Sequence, residues 1–257
     1  MSTNRQRKLE AVVAQLQLRY GPRALRKAPG EREPVGRLST TFPALDDALG
    51  GGLPAGRITE IIGAATSGKA TLAAKVLAAA HVERNALVAW IDLPRTSDPE
   101  YLHRCGVDLS RLLIVRPRDG TDALAITLHL VESSTLAALV FDATARPGEN
   151  PPPDSAALAG SLPGLPAASG LGERLATLVT HTPTAVIFLT EPGRCAQALA
   201  HVATVRLALR RERWIMRGTD VRGYEAQVEI VKHRLGRAGA VIPIRIVFNG
   251  TVRGAGL

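Results

Sequence analysis

Apolar residues first recur at helical spacing near the start of the chain, where Leu9, Val12, Val13, Leu16 and Leu18 precede Tyr20-Gly21-Pro22. The spacing predicts a short amphipathic helix whose stripe packs on its own domain or on a neighbouring subunit. Residues 30–36, charged and proline-containing, read as a linker. Short apolar runs then alternate with longer helical stretches. The runs span residues 58–62, 87–91, 112–115, 136–141 and 185–189; the helical stretches between them span 69–81, 99–105, 121–133 and 172–181. In the third, Leu124, Leu128 and Val131 share one face. This alternation is the signature of βαβ units and a parallel sheet, with right-handed crossovers and a ligand crevice at the carboxyl ends of the strands.

After about residue 205 the pattern changes. Residues 205–216, 224–233 and 241–249 are long, partly alternating strand-like runs joined by Arg217-Gly218-Thr219-Asp220 and Gly236-Arg237-Ala238-Gly239. They predict an antiparallel extension of the sheet. The expected fold is therefore α/β: a mostly parallel central sheet flanked by helices, an antiparallel C-terminal extension and an N-terminal helix. Residues 1–36 form the helix and linker, a candidate oligomerisation arm, and residues 37–257 the core. The proline- and glycine-rich stretch at 146–170 reads as a mobile surface loop. No solenoid-type repeat is present.

Composition narrows this picture. With 257 residues, 46% of them hydrophobic, the chain can bury a sizeable core, which excludes a disordered tail. Lys plus Arg number 32 against 23 Asp plus Glu, a net charge of +9. That excess suits polyanionic partners or a solvated basic surface. Much of it lies in the antiparallel extension, including Arg206, Arg210, Arg211, Arg213, Arg217 and Arg222. Cys105 and Cys195 have no disulfide or zinc-ligand spacing, the six histidines share none either, and a reducing cytoplasm is expected. The basic start is followed by Glu10, Gln15 and Gln17, unlike a signal-peptide core, and no apolar run is long enough to span a membrane.

The chemistry concentrates after the first core strand. Gly63-Ala64-Ala65-Thr66-Ser67-Gly68-Lys69-Ala70-Thr71 is G-x-x-x-x-G-K between a predicted strand and a predicted helix. There, consecutive N–H groups and the helix N-terminus cradle phosphates, and Lys69 reaches the terminal ones. The pattern demands a Ser or Thr hydroxyl on Mg²⁺ directly after the lysine, and the chain has Ala70. Thr71 follows, but one helical residue rotates a side chain by about 100°, so its hydroxyl is expected to point away. Ser67 reads as a backbone-capping hydroxyl. The strand at 136–141 ends in Asp142, the arrangement of a metal-supporting Walker B carboxylate. Trp90 reads as core, and Trp214 with Tyr224 as a cross-strand pair.

With these motifs the chain resembles the core of RecA-fold recombinases along most of its length. The likeness runs through residues 38–61, Ile91-Asp92, Asp98-Pro99-Glu100-Tyr101, Cys105-Gly106-Val107-Asp108, Val205-Arg206-Leu207 and Val231-Lys232-His233-Arg234. The N-terminal helix with Tyr20-Gly21 is similar to the segment that packs on the next protomer of a filament. The resemblance implies that Asp98 and Tyr101 hold adenine beside Gly63, Thr66, Ser67, Gly68, Lys69, Ala70, Thr71 and Asp142. It also implies that Lys232 and Arg234 reach the neighbouring subunit's ATP. Where the family carries a water-orienting glutamate, this chain has Asp92-Leu93-Pro94, and where the family senses the terminal phosphate with glutamine it has Glu191. The family's long glycine-rich DNA loop is missing after Gly193, and its other DNA loop would fall in 146–170.

A short, basic chain with altered catalytic positions is most similar to the ImuA-type accessory proteins of damage-induced mutagenesis. The resemblance then implies an accessory role in DNA repair and SOS-type damage tolerance, with a translesion-type DNA polymerase homologue as partner. ATP would be bound weakly or structurally, hydrolysis impaired, and Mg²⁺ ligation put in question by Ala70. No catalytic residue and no metal site are assigned. Arg210, Arg211 and Arg213 are the candidate contacts to single-stranded DNA, and the N-terminal helix is the candidate self-association element. The alternative is an active DNA-dependent ATPase recombinase that forms filaments on single-stranded DNA, using Thr71 or water for the missing hydroxyl and a carboxylate such as Glu60 as base. A KaiC-like or RadA-like regulatory ATPase shares the fold but matches less well at 98–101 and 231–234.

Overall fold

The computed structural model describes residues 2–20, 35–145, 171–193, 197–249 and 251–255. The predicted loop at 146–170, residues 30–34 of the predicted linker and Cys195 lie outside them. The chain divides into two compact units, Met1–Val35 and Gly36–Leu257. The first contains helix α1 (Ser2–Tyr20), which begins seven residues before the predicted apolar stripe.

The second unit opens with strand β1 (Arg37–Leu38), helix α2 (Pro43–Leu49) and strand β2 (Leu53–Pro54), which the hydrophobic pattern did not predict. Two-residue strands and a seven-residue helix are too short to display a period. The segment is held by polar chemistry instead: the Asp46 carboxylate accepts Ser39 Oγ at 2.6 Å, the Thr40 N–H at 2.8 Å and Thr40 Oγ1 at 2.7 Å. Pro43 starts the helix and Gly50, left-handed at φ 73°, ends it.

The α/β core follows as β3 (Ile58–Gly63), α3 (Lys69–Arg84), β4 (Leu87–Asp92), α4 (Pro99–Arg104), a 3₁₀ turn (Leu109–Arg111), β5 (Leu112–Val115), α5 (Gly120–Glu132) and β6 (Leu136–Asp142). Then come α6 (Leu171–Val179), β7 (Ala185–Thr190), α7 (Gln197–Val202), β8 (Val205–Arg217), β9 (Asp220–His233), β10 (Val241–Asn249) and β11 (Thr251–Ala255). One nine-stranded sheet runs in the order β11-β10-β9-β8-β3-β7-β6-β4-β5. From β8 to β5 every pairing is parallel. From β8 to β11 every pairing is antiparallel. The expected architecture is thus the one observed, with β11 as an unpredicted edge strand.

The sheet is covered on both faces, which explains its continuous apolar runs. Val88 and Trp90 of β4, Val140 of β6 and Ile187 of β7 pack in one core with Leu72, Val76 and Leu77 of α3. Their alternates Ala89, Ile91, Phe141, Val186 and Phe188 pack in a second core with Leu124 and Leu128 of α5 and Leu175 of α6. Phe141 stacks on Phe188 at 4.9 Å between ring centroids. Trp90 is core, as its strand position predicts. Burial on both faces fixes register, because a one-residue slip would exchange the two cores. That register aligns the carboxyl ends of the strands: Asp92 of β4 lies opposite Asp142 of β6. Among the described residues, no helix is long and apolar enough to cross a membrane.

Candidate functional site

The site lies where β3, β4, β6 and β7 end, as expected for an open α/β sheet. The loop leaving β3 can tighten only with glycine at two points. A Cβ on Gly63 would lie 2.2 Å from Ser67 Oγ, and Gly68 turns at φ +99° immediately before α3. Ser67 is buried, but the expected capping bond is not made, since its hydroxyl has no partner among the described residues. Thr66, at the apex, has a left-handed φ of 61°. Lys69 begins α3 and donates from Nζ back to the Ala64 carbonyl at 3.1 Å.

A cavity of about 620 Å³ opens over this loop, lined on one side by Thr66, Gly68, Lys69, Ala70 and Thr71. Tyr101, Trp214, Tyr224 and Phe248 form aromatic walls, and Asp142 and Glu191 face its polar end. Asp142 ends β6 as predicted, and its Oδ1 accepts the Thr144 N–H at 3.1 Å and Thr144 Oγ1 at 2.7 Å. Burial pushes its carboxyl above the usual aspartate range, against those two bonds and Lys69. Glu191 Oε1 lies 3.9 Å from Lys69 Nζ, and its other oxygen accepts the Ala145 N–H at 3.4 Å. Burial lowers the Lys69 ammonium from its ordinary pKa, with Glu191 and Asp142 opposing the shift.

Thr71, on the first turn of α3, is among the lining residues, and its hydroxyl is taken up by the aromatic wall. Thr71 Oγ1 lies 2.6 Å from the Tyr101 hydroxyl and accepts from the Tyr224 hydroxyl at 3.0 Å. Burial pushes the Tyr101 phenol up to about 12 and raises Tyr224 as well. Trp214 and Tyr224 are the predicted cross-strand pair, edge to face at 5.8 Å, and they also wall the cavity. Phe248, 5.9 Å from Tyr224, extends the wall and carried no sequence signal.

Other predicted residues stand elsewhere. Asp98 is not among the lining residues; it caps α4, accepting the Glu100 N–H at 2.9 Å. Arg211 donates to the Thr66 carbonyl at 3.1 Å and to Thr66 Oγ1 at 2.7 Å, and its guanidinium lies 4.1 Å from the centre of the Trp214 ring. It clamps the phosphate loop. Arg210 pairs with Glu212 at 2.8 Å and Arg213 with Glu225 at 2.7 Å, both on the exposed part of β8. Lys232 Nζ donates to the carbonyls of Ala200 at 2.7 Å and His201 at 3.0 Å, and Arg234 also donates to His201. Within one subunit both residues therefore cap the C-terminus of α7. Glu60 is fully buried in β3 against Arg206 and Thr190, not in the cavity, and offers no base.

This donor set does not fit a Mg²⁺-bound nucleoside triphosphate. Ala70 supplies no oxygen ligand, Pro94 is buried and does not line the cavity, and Lys69 already faces the Glu191 carboxylate. An added anion beside Glu191 would meet its like-charge repulsion together with the attraction of Lys69, so the two largely offset each other. Among the described residues, no group of three or more His, Cys, Asp and Glu side chains is placed to hold a metal ion.

The model of the RecA N-terminal domain family matches residues 7–152. Protein RecA of Streptomyces venezuelae is 33% identical over 250 residues, covering 91% of this chain and 66% of that protein. Protein RecA of Clavibacter michiganensis subsp. michiganensis is 34% identical over 251 residues, covering 91% and 69%. Protein RecA of Rhizobium rhizogenes is 34% identical over 253 residues, again covering 91% and 69%. The chain thus spans about two thirds of the length of these relatives. In fold alone it is similar to a KaiC-like protein of Pyrococcus horikoshii OT3, with a TM-score of 0.59 and 17% identity over 87% of this chain and 100% of that one.

Proposed function

The chain belongs to the RecA family, and on that premise we propose that it is a RecA-like accessory protein of DNA repair, with impaired ATP hydrolysis, that works through its surfaces. The observation that carries this reading is the placement of Glu191 beside Lys69. The side chain that should meet the terminal phosphates already has an anion, while Ala70 and Pro94 remove the metal ligand and the water-orienting group. Any nucleotide is then held weakly and for structure.

On this reading the protein acts in the cytoplasm, in SOS-type damage tolerance of the ImuA kind. It joins a translesion-type polymerase homologue and contacts single-stranded DNA through Arg210, Arg211 and Arg213. Self-association runs through α1, and Lys232 and Arg234 face a neighbouring subunit's nucleotide. Arg210 and Arg213, exposed on β8, support the DNA contact, since each phosphate neutralised releases counterions; Arg211 is half-buried and bonded to Thr66. An active recombinase remains the second reading, favoured by the 33% identity to a protein named RecA along 91% of the chain. Co-purification with a polymerase homologue, compared between the intact chain and Lys69→Ala, separates the two. The accessory reading expects a stable complex unaffected by the substitution. Light-scattering evidence of filaments that need both ATP and single-stranded DNA, and are lost in Lys69→Ala, would overturn it.

A further inference from the structure

The cavity is unusual in its charge. Its charged lining residues are Lys69, Asp142 and Glu191, one cation against two carboxyl groups. A triphosphate site presents its lysine and its loop N–H groups to phosphate oxygens. Here the Lys69 ammonium stands between the Ala64 carbonyl at 3.1 Å and Glu191 at 3.9 Å.

The loop is also covered from the sheet. The Tyr224 hydroxyl comes so near Gly68 that a Cβ there would meet it at 2.7 Å, and it donates to Thr71 on the first turn of α3. Arg211 holds the apex through two bonds to Thr66. The loop side of the cavity is thus partnered by the chain's own carboxylate and phenol. Its aromatic lining suits an uncharged planar ligand. Tyr101, Trp214, Tyr224 and Phe248 offer aromatic faces for a heteroaromatic ring, and Thr96 and Thr144 belong to the same lining.

We infer that this pocket takes a nucleoside or nucleoside monophosphate in preference to a nucleoside triphosphate, because Glu191 already serves Lys69 as its anion and Tyr224 already covers Gly68 and Thr71. The inference rests on the reading that the site does not carry out Mg²⁺-dependent hydrolysis. Glu191 makes the selection by offsetting the attraction of Lys69 for each added phosphate, and the aromatic walls supply the affinity.

The test is calorimetric titration of the full chain with adenosine, AMP, ADP and ATP, with and without Mg²⁺, beside a turnover assay on the same samples. Adenosine and AMP should bind, and ATP should bind about tenfold more weakly than AMP, a difference of about one decade in Kd. Glu191→Gln, which keeps the shape of a side chain only partly buried, should close most of that gap and leave adenosine unchanged. Tighter binding of ATP than AMP by the intact chain overturns the inference, as does failure of all four compounds to bind. An equal loss of adenosine and ATP affinity in Glu191→Gln overturns it too. Tight ATP binding without turnover sinks the ligand preference and leaves the impaired hydrolysis standing. Turnover abolished by Lys69→Ala sinks the functional reading itself, whatever the order of affinities.

Discussion

Arg206 of β8 donates its Nε–H to the carboxylate of Glu60, its register partner on β3, at 2.6 Å. The Glu60 side chain is fully buried, and Thr190 of β7 donates to its other oxygen at 2.9 Å. Three adjacent parallel strands are thereby tied beneath the phosphate loop. Removing the guanidinium would leave a buried carboxylate without its charged partner. Arg206→Ala should therefore cost about 3 kcal/mol of stability, readable as a lowered urea midpoint. An unchanged midpoint would show that the pair contributes nothing.

The Tyr101-Thr71-Tyr224 hydroxyl cluster makes stability depend on alkaline pH. Burial holds Tyr101 up to about 12 in the folded chain, and raises Tyr224, against about 10 when unfolded. Between those values the unfolded state releases protons that the native state keeps. The tyrosines' contribution is thus fully present below about pH 10 and falls as pH rises toward 12, by about 1.4 kcal/mol per pH unit for each tyrosine at most. Urea melts at intervals from pH 9 to 11.5 should show this decline, and a Tyr101→Phe, Tyr224→Phe, Cys105→Ala triple variant should flatten it, since burial also raises the Cys105 thiol from about 9 to about 11. A slope that persists in the triple variant would assign the effect to other groups.

Lys232 and Arg234 separate a role within one subunit from a role between subunits. Each donates to carbonyls at the C-terminal end of α7. Alanine at either position should cost about 0.5–1 kcal/mol through the lost interaction with the helix end. The loss should not depend on protein concentration or nucleotide. If stability is unchanged while sedimentation of an ATP-dependent assembly shifts, the two side chains act on a neighbouring subunit instead.

The sequence carried the fold to a large extent because two-sided burial writes strands as unbroken apolar runs. Residues 58–62, 87–91, 112–115, 136–141 and 185–189 each coincide with an observed strand to within one residue. The α2 segment was not legible because its order comes from the Asp46 hydrogen bonds, which have no periodicity. In the site, Gly68, Lys69 and Asp142 were readable from spacing, and Ala70, Pro94 and Glu191 from departures from a family pattern. The aromatic wall was not. Whether Trp214, Tyr224 and Phe248 face the phosphate loop depends on β8, β9 and β10 pairing beyond β3, a relationship between distant segments. The bond from Arg211 to Thr66 was not legible for the same reason, because the two residues lie far apart in the chain. Asp98 before Pro99 had a helix-cap signature that family resemblance overshadowed.

We propose that this RecA-family fold has lost Mg²⁺-dependent hydrolysis at Ala70, Pro94 and Glu191. Steady-state ATP turnover in the presence of Mg²⁺ and single-stranded DNA tests it most directly, comparing the intact chain with Lys69→Ala and with the Ala70→Thr, Pro94→Glu double variant. The account predicts turnover by the intact chain that is indistinguishable from Lys69→Ala. Turnover that is present in the intact chain and abolished by Lys69→Ala would contradict it and put the active recombinase first.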